Sequence, residues 1–586
     1  MAMHDVDPPV ERRRPRRSRR ALVLLAVAVL ALWLATAAII AWQAKGNLDA
    51  GRALAKQAQA LPLEDITHGR SQPLLRRAGV ELAAGAKKLD SPLFVPLRIV
   101  PVVGRQVRTT QRLASGARDA SRAASAAVAD ALAVLDRPRP PGPERVKRIR
   151  EIEGIATRFD RRLAVIRLGA RGGLIGPIAD AHDELTSQIA RVRTGLAKAV
   201  AGTDALAGLL ATPHTYLVMA GNNAEMRAGS GMFLSIGTLT TTDGRLQLGG
   251  MEPVEGLPAP AGVAVVGDMA DRWGWLHPSE DFRNLMLSPR FPQSAQLATQ
   301  MWRAIGRGDV DGVLVLDPVT LHAILAATGP VSSAGRTIDA ANVVDELLHG
   351  QYLRYPTAAL RTERREELGD LAGVTFARLD GGEWSPGRLA AGLGDAARGR
   401  HLMLWSREPK VQAAWAAAGL DGSIGPSTIL VSALNRGGNK LDPFLSVDAR
   451  LELHPVADHT EGRIVVTFQN GTPEGEPPYV QGPNPALPLA PGEYLGILTA
   501  TLPGRASGGR IEGVDQLSVA GADGPTRVVG TEFRVVRNAT QALAVRFSLP
   551  GRHGTLTVGA SGRIQPIGWT YQGVRWTDTA PRTVHW

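Results

Sequence analysis

The 586-residue chain contains no cysteine, which removes disulfides, thiolate metal sites and cysteine nucleophiles together. Aromatic residues are scarce, at 5%. Beyond the first twenty residues no segment pairs a basic patch with interleaved aromatics, so a nucleic-acid partner is not expected. The catalytic motifs of several enzyme classes are missing as well. Ser230 lies in AGSGM and Ser423 in DGSIG, neither of which has both outer glycines of a nucleophile elbow. There is no HExxH and no phosphate-binding loop, and Gly392-Leu393-Gly394 follows a helical run where a dinucleotide loop would follow a strand.

What the chain has is length, one long apolar run and an uneven charge. At 586 residues it exceeds a single core, and two to four domains are expected. The net charge is +12, and seven arginines (Arg12, Arg13, Arg14, Arg16, Arg17, Arg19, Arg20) fall in the first twenty residues, a stretch read as a disordered basic tail. Residues 21–42 are apolar apart from Thr36, long enough at about 1.5 Å per residue to cross a bilayer core. A transmembrane helix over 21–43 is therefore expected, with the arginines holding the N-terminus in the cytoplasm and everything after residue 45 outside. Ala35-Thr36-Ala37 also resembles a signal-peptide cleavage site, against which the apolar run continues to Trp42.

Residues 44–210 repeat apolar positions at helical spacing, as in Leu113, Ala117, Ala120, Ala124 and Val128, and predict an extracytoplasmic helical stalk. PLFVPLRIVPVVG, beginning at Pro92, interrupts it as an apolar turn that packs on a partner or rests on lipid. Over 211–426 strand and helix signals alternate, which predicts an α/β central domain. Its strands are expected at 216–220, 232–241 and 310–317, and its helices at 294–303, 319–327, 342–349 (capped by Asn342) and 361–368. From residue 427 onward the alternation has period two, as in Leu445, Val447, Leu451 and Leu453, and predicts a β-sandwich-like C-terminal domain.

Several residues are candidates for binding. Asn222 and Asn223 hold a sugar or phosphate, or close their own turn. Glu225 and Arg227 form an anion clamp, or an ion pair fixing the corner. Segment 267–281 gathers Asp268 and Asp271 with Trp273, a combination suited to carbohydrate and equally to an ordered loop. Arg361, Arg364 and Arg365 alternate with Glu363, Glu366 and Glu367, the pattern of a self-paired helix face. Asp311 reads as a turn residue and Asp317, before Pro318, as a helix cap.

Three groups of residues resemble the domain of unknown function 4012 family. They are Asn222-Asn223-Ala224-Glu225-Met226-Arg227 with Gly229 and Gly231; Phe291-Pro292 through Leu316-Asp317-Pro318 to Gly329-Pro330; and His401-Leu402-Met403-Leu404-Trp405-Ser406 with Asn435-Arg436-Gly437-Gly438-Asn439-Lys440. The chain departs from that family's pattern at Gly229-Ser230-Gly231-Met232, where two adjacent glycines and an aromatic are usual, and at Arg290, where Asp is usual. The resemblance implies an exported, membrane-anchored protein of the cell envelope and no established activity. A second resemblance, on fewer residues, runs to the LytR-CpsA-Psr phosphotransferases. It implies Arg227, Arg361, Arg364 and Arg365 on a pyrophosphate and carboxylates among Asp268, Asp271, Asp311 and Asp317 holding Mg²⁺.

The sequence reading is thus a single-pass protein of the cell membrane that binds or helps assemble an envelope polysaccharide or its lipid-linked precursor. Its partners would be the bilayer, an envelope glycopolymer or polyprenyl-pyrophosphate glycan, and other membrane proteins. A Mg-dependent phosphotransferase and a structural spacer are the alternatives.

Overall fold

Residues 21–42 hold no proline and no charge and are dominated by Ala and Leu, both strong helix formers, and the chain forms a single helix there, Arg17–Gln59. The computed structural model describes residues 17–586, without the side chains of 17–24, 26 and 358. Of the basic tail 1–20, read as disordered, residues 17–20 instead open this helix, and the part up to residue 16 lies outside the described residues. From residue 27 onward this helix is long and apolar enough to cross a membrane.

The chain divides into two units. The first comprises residues up to 62, 69–130 and 158–196, and its described part is helical. Ser71–Leu89 packs antiparallel on the first helix across glycines: a Cβ at Gly51 would meet Leu82, and one at Gly85 would meet Leu48. Pro101–Leu135 then packs on Ser71–Leu89, with Gln111 donating to the Leu89 carbonyl at 2.5 Å and Ser121 to that of Leu75 at 3.0 Å.

The second unit holds residues 63–68, 131–157 and 197–586. Its first sheet has the order Arg245–Leu248, Gly231–Thr242, His214–Met226, Gly312–Leu316, Leu402–Ser406. Only the pairing of His214–Met226 with Gly312–Leu316 is parallel. Alternation along 216–219 gives the sheet two packed faces. Leu217 and Met219 point into a core with Phe291, Met301 and Trp302, while Tyr216 and Val218 face Leu321, Leu325 and Phe376. Three of the expected helices are Phe291–Ala304, Pro318–Thr328 and Arg361–Gly381, close to where the sequence puts them but longer, and Pro386–Arg398 and Pro409–Ala418 are further helices of this unit. Asn342 makes no capping bond; Asp339 accepts from Ala341 N and Asn342 N in its place.

The region after residue 427 is β-rich. It contains two six-stranded sheets whose inward residues, among them Val447, Ile464 and Phe468 from one and Val431, Leu498 and Phe533 from the other, share one core.

Candidate functional site

The strand His214–Met226 runs six residues further than the sequence suggests, so Asn222, Asn223 and Glu225 are strand residues and only 227–230 turn. Gly231 restarts the return strand against the Asn222 backbone; a Cβ there would sit 2.4 Å from the Asn222 carbonyl carbon, which no other residue tolerates. This corner is a joint with the β-rich region. Met226 N donates to Asp442 at 3.0 Å, Asn223 Nδ2 to the Gly562 carbonyl at 2.8 Å, and the Arg227 guanidinium to the Asn435 carbonyl at 2.9 Å and the Arg283 carbonyl at 3.0 Å. Asp442 also accepts from Asn435, Tyr494 and Arg563, the last at 2.7 Å with both partners buried.

Arg227 is placed as a structural post and not in the cavity with the other candidates: it is buried, its Nε and Nη1 donate to carbonyls, and burial lowers its pKa to about 10. Trp273 is likewise unavailable for sugar stacking, with no exposed surface and its ring packed among Met269, Leu276 and Leu287. Asp268 accepts from Gly524 N at 2.7 Å, and with Asp271 it rides the helix Gly267–Trp273, which packs on the strand Val519–Asp523. None of these three lines a cavity described below.

Other candidates do converge. A cavity of about 600 Å³ opens beside the sheet, within the about 300–1,000 Å³ typical of small-ligand sites. Asn222, Glu225, Asp317, Arg361, Arg364 and Arg365 all line it. Three of these share a helix face because 361, 364, 365 and 368 are three and four apart. Its apolar lining comes from Val218 and Leu316 of the sheet, Leu321 of Pro318–Thr328, and Leu371 and Phe376 of Arg361–Gly381. Its charged lining sets five cations (Arg283, Arg361, Arg364, Arg365, Lys440) against three carboxylates (Glu225, Glu255, Asp317), a surplus of two positive charges.

The pairing of these groups decides what remains free. Lys440 bonds Glu225; burial pulls the ammonium pKa down, and the Glu225 charge more than offsets it, leaving it raised. Glu255 is shared by Arg361 at 3.0 Å and Arg365 at 2.5 Å, so these arginines pair outside their own helix, contrary to the self-paired face. Glu367 instead meets Arg336 and Arg354. Arg364 makes no salt bridge among the described residues. Its guanidinium lies over Tyr479 and Tyr352, 4.8 and 5.0 Å from the ring centroids, bonds the Tyr479 hydroxyl at 3.3 Å, and keeps a buried Nε without a partner. Burial pushes the Tyr479 phenol up, but the Lys440 and Arg364 charges outweigh it and hold its pKa below the usual value. Sequence reasoning missed Tyr352, Tyr479, Arg283 and Lys440; only Lys440 lay in a quoted motif.

The cavity carboxylates do not fit a Mg²⁺ site. Glu225 and Glu255 are held by cations, and Asp317 spends Oδ1 on Val319 N and Thr320 N and Oδ2 on Asn223 and His401. Asp311 cannot join Asp317, because the two close opposite ends of the strand Gly312–Leu316, roughly 20 Å apart at about 3.3 Å per residue; Asp311 accepts from Thr215 N at 2.8 Å. Among the described residues no cluster of three such ligands occurs.

Beneath the cavity, His401 Nδ1 lies 2.6 Å from Asp317. Burial lowers the imidazole's pKa, and the Asp317 charge and hydrogen bond more than reverse it, leaving the pKa raised above 6.5. Stability from such a group is complete below pH 6.5 and is lost as pH rises through the folded-state value. The thermal midpoint is therefore expected to fall as pH climbs past 6.5, and His401→Gln to flatten that slope. Differential scanning calorimetry across the pH range checks both; an unchanged slope in the variant contradicts the pairing.

The fold and the cavity define a multidomain protein with an apolar N-terminal helix and, beside a mixed sheet, a cavity lined by both apolar and cationic residues. Residues 212–352 match the model of a family described as "Protein of unknown function (DUF4012)". The chain carries this family's region, and the match spans the corner, Asp317 and Tyr352 but stops short of Arg361, Arg364 and Lys440. No curated protein and no solved structure matches the chain.

Proposed function

We propose that this is a single-pass envelope protein, cytoplasmic at its N-terminus, that binds an amphipathic anion on the outer side of the membrane. The ligand class is a phosphate or diphosphate on an apolar chain, as in a lipid-linked precursor of envelope polysaccharide. The supporting observation is Arg364, a buried guanidinium with no carboxylate partner among the described residues, lining a cavity that also has an apolar wall. Uncompensated buried charge is costly, and a phosphate oxygen would relieve it with charge-assisted hydrogen bonds. The apolar part of the lining matches a hydrocarbon tail. In this reading the two C-terminal sheets are the faces of a β-sandwich whose loops, through Tyr479 and Lys440, complete the cavity wall.

Calorimetry on the full chain in nanodiscs tests this with farnesyl diphosphate, farnesol and inorganic pyrophosphate. Farnesyl diphosphate is expected to bind at least about tenfold more tightly than either fragment, because head and tail each contribute more than about 1.4 kcal/mol. Equal affinity for pyrophosphate and farnesyl diphosphate would remove the apolar half of the proposal.

A further inference from the structure

The turn between Leu89 and the long helix Pro101–Leu135 keeps an apolar surface bare. Outside the first helix, large apolar side chains are densest in exposure here: Val95, Ile99, Val100, Val102 and Val103, with Ile99 81% and Val102 69% exposed. Five such residues within nine are not scattered surface noise, and a patch of this kind marks a surface that meets something apolar.

Its position says what. The antiparallel contacts pair Gly51 with Leu82 and Gly85 with Leu48, so each step forward on Ser71–Leu89 is a step back along the first helix. Continuing that register sets the turn Pro92–Phe94 opposite residues 39–41, and the turn contacts the first helix. Residues 39–41 belong to the apolar run that ends at Trp42. Pro101–Leu135 repeats the result from the other side. Gln111 is level with Leu89, so Pro101 descends about 15 Å further at about 1.5 Å per residue. The tip thus reaches below the level of Trp42 by roughly 10 Å, the depth of an interfacial helix in a leaflet. Arg105 and Arg108, both exposed, follow the tip at headgroup height, and Gln106 bonds the Gly173 carbonyl beside exposed Arg171 and Ile175.

We infer that segment 92–104 is a second membrane contact, an apolar wedge seated in the outer leaflet of an anionic phospholipid bilayer beside the spanning helix. This rests on the reading that the first helix crosses the membrane. The wedge and the helix together hold the helical unit at a fixed height and tilt on the surface, which one helix alone does not.

Because the chain has no cysteine, single-cysteine spin labels report one position each. The variants are Leu30→Cys in the spanning run, Val80→Cys on the exposed face of Ser71–Leu89, Ile99→Cys and Val102→Cys. Each is placed in the full chain in nanodiscs of phosphatidylcholine and phosphatidylglycerol. Collision with oxygen against a water-soluble nickel chelate reads depth. Positions 30, 99 and 102 are expected to favour oxygen severalfold over position 80. Lipid-like behaviour at 30 with water-like behaviour at 99 and 102 overturns the wedge and leaves the anchor standing. Water-like behaviour at 30 overturns both.

Discussion

Arg563→Met is expected to destabilise the second unit by about 3–5 kcal/mol, the cost of leaving one member of a buried ion pair alone. Arg563 and Asp442 are each almost wholly inaccessible, 2.7 Å apart, and Arg563 also donates to the Asp442 and Leu445 carbonyls. Asp442 in turn holds the corner through Met226 N. Burial already raises the Asp442 carboxyl's pKa against the opposing pull of Arg563, so removing the guanidinium drives it toward protonation. The double variant Arg563→Met with Asp442→Leu should recover part of the loss, because two apolar groups of similar shape leave no orphaned charge. Urea unfolding followed by tryptophan fluorescence measures both. A single variant within about 0.5 kcal/mol of the parent, the usual range of surface changes, would show that the joint carries no such energy.

The second large effect falls on binding. Arg364→Gln is expected to weaken farnesyl diphosphate roughly 10- to 100-fold, the loss of about 1.5–3 kcal/mol from hydrogen bonds to a charged group. Folding should change little, since Arg364 makes no salt bridge and its stacking on Tyr352 and Tyr479 contributes only about 0.5–2 kcal/mol. Arg364→Lys keeps the charge without the planar fork and should fall between the two. Arg227→Gln separates the readings from the other direction: it should destabilise the corner, whose carbonyls lose their donor, without a specific loss of affinity in the molecules that stay folded.

Local chemistry explains which parts were legible. Asp317 before Pro318 caps its helix as read, because the capping bonds close within three residues. The period-two run from Leu445 to Leu453 is a strand with those residues inward for the same reason. The face shared by Arg361, Arg364 and Arg365 follows from helical spacing alone. What lies opposite a residue is set by chain hundreds of positions away. Arg227 has the composition of an anion clamp, and only the approach of Asn435, 208 residues later, turns it into a structural post. Arg361 and Arg365 have no glutamate three or four positions away on their own helix, and both meet Glu255, more than a hundred residues earlier. Lys440, Tyr479 and Arg364 form one cationic stack from three distant segments, and no local pattern announces it.

The most direct test of the cavity's role is photolabelling of the full chain in nanodiscs with a diazirine-bearing prenyl diphosphate, mapped by peptide mass spectrometry. Label concentrated on peptides carrying Leu316, Leu321, Leu371 and Phe376, competed away by farnesyl diphosphate and lost in Arg364→Gln, is the result predicted here. Label that spreads over the exposed apolar surface, or that survives both competition and the Arg364 substitution, would contradict the assignment of this cavity as a lipid-phosphate site.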